Sequence, residues 1–187
     1  MLAEISLNVI DIARNSVRAG ASLIEIRVSI DNAARELTLQ IIDNGKGMSE
    51  EQVSRVEDPF YTSRKTRSVG LGIPFLKQEA EITGGSLSIR SEPGKGTEVT
   101  AVFRQDSIDC MPLGDINSSI FALVTSTSDD VDYLYTYEVD GRSFSLDTRE
   151  IREIMQGVPL QNPEVSDFIR TFLDENKRAV DEGVMEV

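Results

Sequence analysis

The apolar run "TLQII" stops at Asp43, and Asn44-Gly45-Lys46-Gly47-Met48 follows, two glycines around a lysine. That spacing excludes two familiar loops. A Walker A phosphate loop needs Gly, four residues and then Gly-Lys-Ser/Thr, whereas Lys46 is followed by Gly47 and Met48. A calcium EF-hand loop needs oxygen side chains at its first, third and fifth positions, and counting from Asp43 the third is Gly45 and the fifth Gly47. What fits is a strand ending in an acceptor-only carboxylate, then a backbone thin enough for something flat to approach. Adenine offers an exocyclic amino donor where guanine presents a carbonyl, so Asp43 at a pocket floor would select ATP over GTP. An ordinary Asp-Asn-Gly turn accounts for the same residues without a ligand.

Two further groups could complete such a site. Asp11, Asn15 and Arg18 stand at i, i+4 and i+7, which stacks them on one helix face. The amide oxygen of Asn15 is a hard ligand suited to Mg2+, which takes one or two protein oxygens and fills its shell with phosphate and water. A solvated helix face has the same pattern. Downstream, "SRKTRSVGLGIPF" sets Arg64, Lys65 and Arg67 ahead of Gly70-Leu71-Gly72, where a helix begins and its free amides attract anions. A plain helix-entry turn is the alternative.

The elements that must position these groups follow from periodicity. Residues 2–19 read as a helix with Leu2, Ile5, Val9, Ile12 and Ser16 on one side and Glu4, Asn8, Asp11, Asn15 and Arg18 nearly opposite. "LIEIRVSID" (23–31) and "ELTLQIID" (36–43) alternate with period two and predict paired strands, the second delivering Asp43. Ser49 and Gln52 form a capping-box signature for a short helix at 49–56. Periodicity then vanishes over 57–70, which predicts a mobile loop, and helix resumes over 72–83 with Pro74 in its first turn. "SLSIRSE" and "GTEVTAVFR" predict a hairpin across "PGKG". Beyond a linker at 105–115, Ile116, Ile120, Leu123 and Val124 have helical spacing. "DYLYTYEVDGRSFSL" predicts a second hairpin turning at Asp140-Gly141, in which Tyr137 faces Phe144 and Tyr135 faces Leu146. Helices at 147–156 and 163–180 are expected to cover that aromatic face. The division expected is 1–106 for the first domain and 107–187 for a smaller α+β domain.

Composition narrows the function classes. No apolar stretch approaches the ~20 residues of a membrane helix and no basic-then-apolar leader opens the chain, so a cytoplasmic protein without membrane contact is expected. With one cysteine, Cys110, no internal disulfide forms, and with no histidine a histidine triad is excluded. Residues 1–106 hold 15 acidic and 13 basic side chains, whereas 107–187 hold 17 and 6, a surface unsuited to nucleic acid.

Taken in order, "DIARNS", "DNGKG", "DPFYTSRKTRSVGLGI" and "GKGTEV" resemble the N box, first G box, F and second G boxes, and third G box of the GHKL ATPase superfamily, over roughly residues 1–105. That superfamily includes gyrase, heat-shock chaperones, histidine kinases and MutL mismatch-repair proteins. The resemblance implies an α/β sandwich with a mixed sheet under helices, and ATP with Mg2+ as cofactors. By it, Asn15 would ligate Mg2+, Arg18 would contact phosphate in place of a lysine, and Asp43 would bind the adenine amino group. Gly45, Gly47 and Met48 would line the base pocket, with Thr97 supporting adenine through its hydroxyl or a bridging water. Phe60 would brace the lid, Lys65 belongs to its basic stretch, and Gly70, Leu71 and Gly72 would hold the phosphates.

Three departures bear on the activity. Asp11 stands where gyrase, mismatch-repair and anti-sigma relatives carry a glutamate that activates water or a serine hydroxyl. No dimerisation helix pair is expected ahead of the ATPase segment, and no histidine is available for phosphorylation. The first expectation is therefore a protein kinase or anti-sigma-like regulator acting in trans, with Asp11 as base and the acidic C-terminal region meeting the partner. The second is a non-catalytic switch whose ATP-closed form is recognised by a regulator or enzyme complex. A gyrase-like clamp would need a transducer domain that the acidic C-terminal region does not resemble. Either expectation is compatible with a homodimer.

Overall fold

A computed structural model describes residues 4–56, 72–128 and 130–183. The elements are α1 (Ile5–Arg18), β1 (Leu23–Asp31), β2 (Glu36–Asp43), α2 (Glu50–Val56), α3 (Gly72–Ile82), β3 (Ser86–Glu92) and β4 (Gly96–Arg104), then α4 (Ile116–Ser126), β5 (Asp132–Val139), β6 (Arg142–Asp147), α5 (Thr148–Ile154) and α6 (Pro163–Glu182). The strands form one mixed sheet in the order β3-β4-β2-β1-β5-β6. This is the α/β arrangement the sequence predicts.

Local chemistry explains the elements. Ser49 and Gln52 close the capping box reciprocally: the Gln52 amide donates to Ser49 Oγ at 3.3 Å and the Ser49 amide to Gln52 Oε1 at 2.9 Å. Asp140 and Gly141 take φ values of 50° and 80°, the twist that a two-residue hairpin turn requires. β5 and β6 pair with Tyr137 opposite Phe144 and Tyr135 opposite Leu146, as the alternation predicts. Each strand sends alternate residues to one face, where Ile24, Ile26, Leu39, Ile41, Ala101, Phe103, Tyr135 and Leu146 meet helical residues such as Val9, Ile12, Leu76, Ile120 and Ile169 in a continuous core. The opposite face is polar. It carries contacts such as Gln40 to Glu98 at 3.1 Å and Thr136 with Ser145 at 3.0 Å.

Residues 107–187 extend this same sheet. β5 lies parallel to β1, with Leu23 opposite Asp132 and Ile30 opposite Val139, so β1 is flanked on both sides. The link before α4 also closes the start of α1. The amides of Ile5 and Ser6, which have no partner within the helix, donate to Pro112 O at 3.0 Å and Leu113 O at 2.9 Å, and Glu4 Oε2 accepts from the Asp115 amide at 3.1 Å. Asn8 corrects the expected polar stripe. It is fully buried, because α3 packs beside α1 and Glu79 accepts its Nδ2 at 2.8 Å. The loop expected at 57–70 lies outside the described residues.

Candidate functional site

β2 carries Asp43 to the end of its run, and α1 crosses above it. Between them, the 44–48 loop and the start of α3 lies a cleft of about 370 Å³ lined by Ile12, Asn15, Ser16, Arg18, Asp43, Lys46, Gly47, Met48, Thr97 and Val99, with Gly72 and Ile73 at the far side. Most of its lining surface is apolar, with Asn15, Ser16, Arg18, Asp43, Lys46 and Thr97 supplying the polar groups, a combination suited to a small-molecule site.

Asp43 is 8% exposed, and its carboxylate is held at both oxygens. Ser16 Oγ donates to Oδ2 at 2.6 Å and the Gly45 amide donates to Oδ1 at 2.9 Å. Each oxygen keeps a further lone pair to offer a ligand donor. Thr97 stands opposite Asp43 on β4. Its neighbour Ser91 accepts from the Met48 amide at 2.8 Å, donates to Gly96 O at 2.9 Å and lies 2.8 Å from Thr97 Oγ1. With the single Ser91 proton spent on Gly96, Thr97 donates to Ser91 and its own lone pairs remain.

The glycines of the loop do more than thin a ligand wall. A Cβ on Gly47 (φ 65°) would sit 1.9 Å from Glu92 O, and one on Gly45 would sit 3.0 Å from both Ala19 O and Asp43 Oδ1. A Cβ on Gly96 (φ 101°) would likewise sit 1.8 Å from Asp43 O. The 44–48 loop is thus interlocked with the β3–β4 turn, as the 2.7 Å bond from the Gly94 amide to Lys46 O confirms. Gly45 is buried and is not among the cleft-lining residues, whereas Gly47 lines the cleft. Asn44 ties the loop to β1 by accepting the Ser22 and Leu23 amides at 2.9 and 3.0 Å.

Among the remaining expected residues, Asn15, Arg18, Met48, Gly72 and Thr97 come together at the cleft. Arg18 Nη1 donates to Asn15 Oδ1 at 3.3 Å. Asp11 is exposed, one turn along α1, and is not among the cleft-lining residues. A Cβ on Gly72 would meet its Cβ at 3.4 Å, so it flanks the entry to α3. Among the described residues no cluster of three or more His, Cys, Asp or Glu is placed to hold a metal; an ion here would rely on Asn15 and on ligand oxygens. Phe60, Lys65, Gly70 and Leu71 lie outside the described residues.

Two contributors escaped the sequence reading. Ser16 falls on the apolar side of α1, where a hydroxyl among Ile5, Val9 and Ile12 is the available signal. Ser91 carried none, being one serine of three in β3.

Comparison with known proteins places this geometry. Residues 1–107 match the family described as histidine kinase-, DNA gyrase B-, and HSP90-like ATPase. Over 92 residues the chain is 32% identical to sporulation kinase D of Bacillus subtilis, covering 49% of this chain and 18% of that protein. It is 33% identical over 98 residues to the B. subtilis sensor histidine kinase YkoH (50% and 21%), and 34% over 99 residues to the Staphylococcus aureus sensor protein SrrB (50% and 16%). The chain thus spans less than a quarter of the length of these relatives. A solved structure, the N-terminal domain of a DNA repair protein, shares the fold over 78% of this chain and 53% of its own, with a TM-score of 0.51 and 14% identity. No helix among the described residues is long and apolar enough to cross a membrane. Residues 1–107 make this chain a member of the histidine kinase-, DNA gyrase B- and HSP90-like ATPases, and they carry the ATP-binding domain of that family.

Proposed function

We propose that the cleft binds Mg-ATP in preference to GTP and that the chain uses it on a protein partner in trans, as a kinase or anti-sigma-like regulator. The supporting observation is the buried Asp43 carboxylate, oriented by Ser16 and the Gly45 amide with lone pairs to spare. Asp43 would accept the adenine amino group, Thr97 would support the base directly or through water, and Gly47 and Met48 would line its pocket, Gly45 being buried. Asn15 would hold the ion that neutralises phosphate charge, and Arg18 would leave Asn15 for the phosphates. Phe60, Lys65, Gly70, Leu71 and Gly72 keep the lid and phosphate roles that the resemblance implies. Asp43→Asn keeps one acceptor but removes the charge and adds a donor, and should weaken ATP by roughly 1.5–3 kcal/mol, about ten- to a hundredfold. Calorimetry with ATP and GTP checks this; equal affinities for the two nucleotides in the native protein would remove Asp43 from the base pocket.

Asp11 is the proposed base. Proton abstraction needs heavy atoms at about 2.6–3.2 Å, and Asp reaches less far than the glutamate it replaces, so partner-free hydrolysis should be slow. Asp11→Ala should bind Mg-ATP as wild type does yet lose phosphoryl transfer to the partner. The exposure of Asp11 outside the cleft lining favours the second reading, a non-catalytic switch. An alanine variant with unchanged single-turnover rate would exclude Asp11 as the base, and a wild type that binds Mg-ATP without turning it over would decide for that switch.

A further inference from the structure

Residues 107–187 carry the chain's acidic surplus, and α6 holds six of their acidic side chains against three basic ones. The helix buries Val165, Ile169, Leu173 and Val180. Glu164, Phe168, Thr171 and Glu175 recur at i, i+4, i+7 and i+11 along another side, with Asp167 next to them, and all five are exposed. Phe168 stands out as a large apolar ring 48% exposed among carboxylates.

That ring is braced. Its centroid lies 6.1 Å from Phe172, which meets Phe144 of β6 edge-on at 6.1 Å, and Phe144 meets Tyr135 at 5.8 Å. A line of aromatic rings runs from the surface into the core. A side chain held this way loses little freedom when covered, as interface anchors do. Two nearby cations are engaged away from the stripe, and the exposed Arg178 continues it three residues beyond Glu175. Arg170 lies 4.0 Å over the Phe121 ring of α4, while Lys177 pairs with Asp181 at 2.6 Å and lies 4.9 Å over Tyr137. Between Glu164 and Glu175 the stripe therefore presents three carboxylates around one apolar anchor.

We propose that this stripe of α6 docks a basic protein segment, with an apolar side chain covering Phe168 and flanking Lys or Arg meeting Glu164, Asp167 and Glu175. Charge complementarity selects that occupant: nucleic acid and anionic membranes are repelled, and two copies of the stripe would oppose like charges. The proposal rests on the reading of the chain as acting on a protein partner, and it gives that partner a chemistry.

The probe is a short synthetic peptide of alternating leucine and lysine, titrated by fluorescence anisotropy into the full chain at physiological salt. Saturable one-to-one binding is expected, at least tenfold weaker for Phe168→Ser and for the triple variant Glu164→Gln/Asp167→Asn/Glu175→Gln. Phe75→Ser, which alters the exposed ring of α3, should bind as wild type does. A leucine–glutamate peptide should not bind. Equal peptide affinity in wild type and both α6 variants would overturn the proposal, leaving only non-specific charge attraction. So would a wild-type dimer dissociated by Phe168→Ser in light scattering, or Phe168-dependent binding to neutral lipid vesicles. The triple variant alters only exposed side chains and decides the matter if Phe168→Ser folds poorly. ATP affinity, measured on the same samples, separates the two ideas: it should be unchanged in both α6 variants, and its absence from wild type would sink the nucleotide reading without touching the docking stripe.

Discussion

Asp43 works through its neighbours. A buried carboxylate is costly unless its oxygens are hydrogen-bonded, and Ser16 and the Gly45 amide supply one bond each while fixing the plane of the group. Ser16→Ala removes one of these bonds to a charged acceptor. It should cost about tenfold in ATP affinity, at the low end of the range for such bonds, with little change in Mg2+ dependence because Asn15 is untouched. Isothermal titration at several Mg2+ concentrations distinguishes the outcomes; an unaltered ATP affinity would mean that Asp43 is held without the hydroxyl. Thr97 owes its free lone pairs to Ser91, which already spends its proton on Gly96 and accepts the Met48 amide.

At the scale of elements, α1 carries Asn15 and Arg18 and is held from three directions. The sheet packs below it, the 112–115 link accepts its first amides, and α3 meets it through Asn8 and Glu79. Burial raises the Glu79 carboxyl above its usual range, and the hydrogen bond from Asn8 only partly opposes this. The fold therefore favours protonated Glu79. Its contribution is complete below the ordinary value of 4.5 and is lost as pH rises through the raised folded value. Glu79→Gln keeps an acceptor for Asn8 Nδ2 and never ionises. Relative to wild type, the variant should gain stability from about pH 4 to neutrality, with the smallest difference in acid. Thermal melts over that range check the sign; a difference that shrinks toward neutral pH would contradict it.

For the whole molecule, the parallel pairing of β1 with β5 joins the ATP-binding segment to the C-terminal region through backbone hydrogen bonds and a shared core. Cooperative unfolding follows if the two regions depend on each other. Three of the four tyrosines, Tyr133, Tyr135 and Tyr137, lie on β5, so near-ultraviolet dichroism reports chiefly on the C-terminal region while far-ultraviolet dichroism reports on all helices and strands. The two signals should give one urea midpoint. Residues 1–106 expressed alone should melt lower, because β1 would expose an unpaired edge. Two separated midpoints would instead support independent domains at the 106/107 boundary.

The sequence by itself determined what depends on near neighbours. Period-two runs set β1 to β6, Ser49 with Gln52 set the start of α2, Asp140-Gly141 set the last hairpin, and the strand end at Asp43 set the acceptor. These follow from pleat, cap and turn geometry, which act within a few residues. Tertiary structure alone decided that β5 would lie against β1, about a hundred residues away, since alternation says which face a strand buries but not which strand it pairs with. It also decided that Asn8 would be buried by α3, that Ser16 would reach Asp43 from another element, and that Gly47 would be required by the Glu92 carbonyl. Each is a contact between segments distant in the chain, made when the helices settle on the sheet, and no local pattern encodes it.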